Sequence, residues 1–99
     1  MLKRLPQNTD FLIPETINPK DAINFINSYI QEYSCENLGV DISLMNIIDA
    51  CYVSTLCSTT HFIKYPQGKI RWKISSELIK DFNQKIELNN TEYILIKQQ

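Results

Sequence analysis

Cys57 and His61 stand four residues apart, the spacing that places two side chains on one face of a helix, where a thiolate and an imidazole could share a metal ion. Two ligands fall short of the four that a structural zinc site takes. The pair therefore gives no metal site and reads as a buried thiol plus a histidine at a helix end, where the dipole favours positive charge. Cys51 lies near a helix start, so the dipole could lower its pKa and sharpen it as a nucleophile; the plainer alternative is an inert small residue. His61 is the only histidine. Ten residues of helix separate it from Cys51, about 15 Å at 1.5 Å per residue, which excludes a direct dyad. Asp41 and Asp49 are candidate carboxylates for acid–base work, but no cluster of substrate-binding side chains accompanies them. Asp49 is more simply a helix cap, and Asp41 a strand residue pointing away from its apolar neighbours Val40 and Ile42. With only two glycines, Gly39 and Gly68, the chain lacks a phosphate-cradling Gly-rich loop. Neither catalysis nor a cofactor is expected.

A second constellation is basic. His61-Phe62-Ile63-Lys64-Tyr65, followed by Lys69, Arg71, Trp72 and Lys73, mixes cations with aromatics as single-strand nucleic-acid platforms do. Lys69-Ile70-Arg71-Trp72-Lys73-Ile74 alternates strictly, however, so Trp72 shares the buried face with Ile70 and Ile74 while the three cations keep the other face wet and resist stray strand pairing. Ten basic against eleven acidic residues leave a net charge of −1 and no global field for a polyanion. A nucleic-acid module using Lys64, Lys69, Arg71 and Lys73 is thus the alternative reading.

The elements that position these residues follow from punctuation and periodicity. Thr9 to Ile13 is a strand candidate ended by Pro14, which has no N–H for a ladder. Asn18-Pro19 starts a helix reaching about Tyr33, with Ala22, Ile23, Ile26, Tyr29, Ile30 and Tyr33 as its apolar stripe. Asn37 to Gly39 reads as a turn, Val40 to Ser43 as a strand and Leu44 to Asn46 as a loop. Asp49 then caps a helix over Ala50–Phe62 with Ala50, Val53, Leu56, Cys57 and Thr60 on one face, several of them small enough for a close approach to a sheet. Pro66 to Gly68 leads into the Lys69–Ile74 strand. Ser75 or Ser76 caps a third helix anchored by Leu78, Ile79 and Phe82, and Asn89-Asn90 precedes a last strand, Glu92 to Ile96. The series β-α-β-α-β-α-β implies right-handed crossovers and an α/β fold: about four strands in a mostly parallel sheet, helices mainly on one face.

Ninety-nine residues fit one domain over 1–99, burying roughly 60 to 70% of the unfolded surface. An odd number of cysteines without a CxxC pair fits free thiols in a reducing compartment. Leu2-Lys3-Arg4-Leu5 has no apolar stretch behind it, and no run nears the ~18 apolar residues of a membrane span. A cytoplasmic protein without membrane insertion is expected.

Val40-Asp41-Ile42-Ser43-Leu44-Met45-Asn46-Ile47-Ile48-Asp49-Ala50-Cys51-Tyr52-Val53 resembles, without a gap, the core segment LDLSGVTFIDSSGL of the STAS family. The likeness continues through the following helix, the strand Ile70 to Ile74, the Ser75-Ser76 helix start and the closing strand, roughly from Thr9 to the end. It implies a non-enzymatic binding module resembling the anti-sigma-factor antagonists, a bacterial regulatory domain whose partner is another protein, such as a kinase-like ATPase. In those antagonists the second serine after the aspartate is phosphorylated. The matching position is Cys51, with Ala50 for the first serine and Tyr52 for the glycine, so the phosphoswitch is not expected. A protein-binding surface over Asn46, Asp49, Ala50, Cys51 and Tyr52 is what the resemblance leaves. Whether the chain forms a homodimer is open at this stage.

Overall fold

Proline at a first helical position and an asparagine before it are both used as their chemistry dictates. In a computed structural model that describes residues 11–83 and 89–96, helix α1 spans Pro19–Glu32 and Asn18 Oδ1 accepts from the Asp21 N–H at 3.0 Å. The elements that follow are β1 (Asn37–Asp41), α2 (Ile47–Lys64), β2 (Lys69–Ile74), α3 (Glu77–Asn83) and β3 (Thr91–Leu95). The α/β class and the helix–strand alternation agree with expectation.

The strands form one sheet in the order β1-β2-β3, parallel throughout, with Val40 beside Trp72 and Trp72 beside Tyr93. Leu12 adds a single parallel bridge to Val40 at the β1 edge; its N–H donates to Gly39 O and its carbonyl accepts from Asp41 N–H, both at 2.9 Å. Among the described residues the sheet has three strands where about four are expected, with Leu12 of the expected first strand present as this bridge. Thr9 and Asp10 lie outside the described residues, and Pro14, which cannot donate, ends the pairing just past Leu12. Strand order follows chain order, so right-handed crossovers place successive helices on one face. The packing agrees: α2 lies against α1, α3 and β2.

Between helix layer and sheet lie Ala22, Ile26 and Ile30 of α1, Leu38 and Val40 of β1, Ala50, Val53 and Cys57 of α2, Ile70, Trp72 and Ile74 of β2, and Ile79 of α3. The stripe expected on α1 supplies its buried positions, with Ile23 and Tyr29 packed partly against the core.

Three local expectations are corrected. Asn37 to Gly39 is strand, not turn: the residues register with Lys69 to Arg71, and Gly39 serves close packing, since a Cβ there would stand 2.6 Å from the Phe11 ring. Helix α2 begins three residues before its expected start at Ala50. Asn46 is the N-cap, its Oδ1 accepting from the Asp49 N–H at 2.9 Å and its Nδ2 donating to Asp49 Oδ2 at 3.1 Å, a reciprocal clasp that resembles a capping box. On α3, Ser76 Oγ accepts from the Leu78 N–H and Ile79 is buried, but Leu78 is exposed; the Phe82 side chain lies outside the described residues.

Candidate functional site

The loop after β1 and the first turns of α2 meet at the carboxyl end of the sheet. Asp41 ends β1 in an Asx-turn, its Oδ1 accepting from the Ser43 N–H at 2.9 Å and the Ser43 hydroxyl at 2.6 Å. Past that turn Leu44 faces outward while Ile42 and Met45 stay in the core. Leu44 is 84% exposed, Ile48 71% and Tyr52 53%, three large apolar side chains held in solvent within nine residues of chain. Beside it runs a groove of about 440 Å³ between residues 13–17 and 41–45, floored by Pro14, Ile42 and Met45 and walled by Ile13, Ile17 and Leu44.

The five residues singled out in the sequence divide by depth. Asn46 and Tyr52 are exposed, Asp49 and Cys51 are half-buried, and Ala50 is fully buried. Ala50 therefore leaves the candidate contact set: it faces the core, where its small size lets α2 approach the sheet. Cys51 falls in the second turn of α2, beyond the free N–H groups, and its Sγ points toward Ile79 O at 3.9 Å. With no free N–H group there to stabilise a thiolate, and burial pushing the thiol up, not down, the activated-thiol alternative loses its support. Sequence reasoning missed Leu44 and Ile48. Nothing local marks them: Ile42 to Ile48 carries no formal charge and mixes the buried Ile42 and Met45 with the exposed Leu44 and Ile48.

Cys57 and His61 share the inner face of α2, but neither is poised for a metal. Burial pushes the Cys57 thiol up to about 12. Both imidazole nitrogens are occupied: Nε2 lies 2.9 Å from Cys35 O, and Nδ1 lies 3.3 Å from Asn90 Nδ2. A carbonyl accepts and an amide NH₂ donates, so this network assigns the proton to Nε2 of a neutral ring. Burial lowers the His61 pKa below its ordinary 6.5, against opposing pulls from the Cys35 and Glu36 backbones and the Glu36 charge. The reading of His61 as a cation favoured by the helix end is thereby corrected. Among the described residues, no three His, Cys, Asp or Glu side chains cluster as metal ligands.

The cations are dispersed. Lys69 and Arg71 lie on the open face of β2, where Glu92 of β3 meets both, at 3.4 Å and 3.1 Å. Lys73 stands 4.3 Å from the Phe11 ring centre. Lys64 is elsewhere, donating to Ile30 O and Gln31 O at 2.8 Å each and so capping the C-terminal end of α1. No helix among the described residues is long and apolar enough to cross a membrane. No protein-family model matches the chain, and neither a curated protein nor a solved structure matches it.

Proposed function

We propose that this chain is a non-enzymatic regulatory or adaptor domain of STAS-like kind that binds another bacterial protein in the cytoplasm, through the β1–α2 loop and the first turns of α2. The observation that carries the reading is the exposed apolar cluster Leu44, Ile48 and Tyr52, clasped at its base by the Asn46–Asp49 cap. Large side chains held in water by a rigid support cost solvation that a partner recovers. The resemblance of Val40 to Val53 to the STAS core segment favours the same corner and makes a kinase-like ATPase the first partner to try. Docking there needs no phosphate, because Ala50 and Cys51 stand where the serines would be.

The nucleic-acid alternative has less behind it. Glu92 offsets Lys69 and Arg71, and Lys64 is spent on α1.

Tyr52→Asp tests the reading. The side chain is more than half exposed, so the melting temperature should stay within a few degrees, while capture of the native partner falls by about tenfold or more, the scale of losing one interface anchor. Undiminished capture by a folded variant would count against the corner.

A further inference from the structure

The exposed apolar residues of α2 do not stop at its first turns. Ile48, Tyr52, Thr55, Leu56, Thr59, Phe62 and Ile63 fall within a third of the helix circumference at 100° per residue, opposite the buried Ala50, Val53, Ser54, Cys57, Ser58 and His61. None of these outer residues carries a charge, and Ile63 is 76% exposed. Their order has a symmetry of its own. Ile48 and Ile63 are equidistant from the midpoint between Thr55 and Leu56, and so are Tyr52 and Thr59.

We infer that a second copy of this chain covers this face, with the two α2 helices antiparallel about a two-fold axis at that midpoint. A two-fold contact must be self-complementary, each residue i meeting j while j meets i. Here Ile48 meets Ile63 of the second copy, Tyr52 meets Thr59, and Thr55 meets Leu56, so apolar side chains face apolar or uncharged ones along the centre of the contact, while Phe62 flanks it opposite the capping Asp49. The antiparallel arrangement also sets the positive end of each helix dipole beside the negative end of the other. At about 150–250 Å² per large side chain, the exposed parts of Ile48, Tyr52, Leu56, Phe62 and Ile63 supply on the order of 600 Å² per copy. That is the lower end for a specific dimer, the size class of weak, reversible association. Ile48 and Tyr52 belong to both surfaces. If the docking corner proposed above is right, a chain in the dimer cannot hold its partner there.

Sedimentation velocity on the whole chain from about 10 to about 500 μM tests this, a range that brackets a weak interface of this size. The mass should rise from one copy to two. Ile63→Glu should weaken the dimer by more than about tenfold, and so should Ile48→Lys, while a mixture of the two variants should dimerise because opposite charges then face each other. Both residues are about three-quarters exposed, so unchanged melting curves show that the fold is intact. A wild type that stays monomeric throughout, a dimer indifferent to Ile63→Glu, or a mixture no better than its components overturns the inference. If the wild type is monomeric and Ile63→Glu instead abolishes capture of a different protein, the face belongs to that protein and the inference also fails. Ile63 lies outside the docking corner and Leu44 outside the dimer face, so the two proposals fail separately.

Discussion

Trp72→Ala is expected to remove about 4 kcal/mol of stability, the scale for truncating a large buried aromatic, and to lower the melting temperature by roughly 15 to 30 °C in a domain of this size. Trp72 sits in the middle of the central strand, fully buried, with Val40 and Tyr93 in register on either side. Its indole also carries a polar obligation: Nε1–H donates to the Ser58 hydroxyl of α2 at 2.8 Å, a bond made out of contact with water. Truncation thus opens a cavity between sheet and helix layer and strips Ser58 of a donor. Because total stabilities of small domains run about 5 to 15 kcal/mol, the loss is a quarter or more of the whole, and most of it at the lower end of that range. Trp72→Phe keeps most of the volume and should cost about half as much, separating the hydrogen bond from the packing. Thermal unfolding followed by circular dichroism decides; a loss below about 1 kcal/mol for the alanine variant would mean that the indole is not the centre of the core.

The second large effect is a loss of stability in mild acid that one side chain controls. In the unfolded chain His61 takes up a proton near its ordinary 6.5; in the fold, burial holds its pKa below that. Between the two values the unfolded state binds more protons, so stability rises with pH there: it is fully present above about 6.5 and is lost as pH falls toward the folded pKa. One proton gives at most about 1.4 kcal/mol per pH unit. The geometry explains why the fold resists the charge. Protonation would put a second donor on Nδ1, which faces the Asn90 amide NH₂, while Asn90 Nδ2 is also committed to Ser58 O at 3.2 Å and Asn90 Oδ1 accepts from the Thr91 hydroxyl at 2.9 Å. Acid therefore strains the joint between the C-terminal half of α2, the α1–β1 loop at Cys35 and the entry to β3. With a single histidine and a single tryptophan in the chain, the assignment is clean. Urea midpoints read from Trp72 fluorescence should fall from pH 7 to pH 5.5, and His61→Gln should flatten that slope although it lowers stability at pH 7. A slope unchanged by His61→Gln would assign the acid sensitivity to carboxylates instead.

Where local chemistry and burial point the same way, the chain is readable. Asn18-Pro19 marks the start of α1 because cap and fixed φ act within a few residues, and the alternation through Lys69–Ile74 assigns Trp72 to the core because strand period alone separates the faces. The misreadings share a different cause. Asn37-Leu38-Gly39 has turn composition, yet its role is decided by β2, more than thirty residues away, and by a Phe11 ring that needs the space over Gly39. The start of α2 was placed at Asp49 since an acid is as good a cap as an amide; only the clasp with Asn46 distinguishes them. The sequence presents His61 only as a helix-end residue that the dipole would favour as a cation, because no local pattern signals Cys35 O and Asn90, which come from two other parts of the chain. The candidate surface was legible in part. Tyr52 and Asn46 could be found from the resemblance, Ala50 was taken from it and proves buried, and Leu44 and Ile48 required knowing which way the β1–α2 loop turns.

That a partner docks at the β1–α2 corner is the claim on which the functional account rests, and Leu44 gives the most direct access to it. A photoreactive amino acid placed at Leu44, the most exposed large apolar side chain at the corner, reports contact without depending on affinity after lysis. Irradiation in the native cell should yield one discrete adduct with another protein, and Tyr52→Asp in the same chain should abolish it. The same probe at Glu92, on the open face of the sheet, should give none. No adduct from Leu44, or adducts of equal yield from Leu44 and Glu92, would contradict docking at this corner.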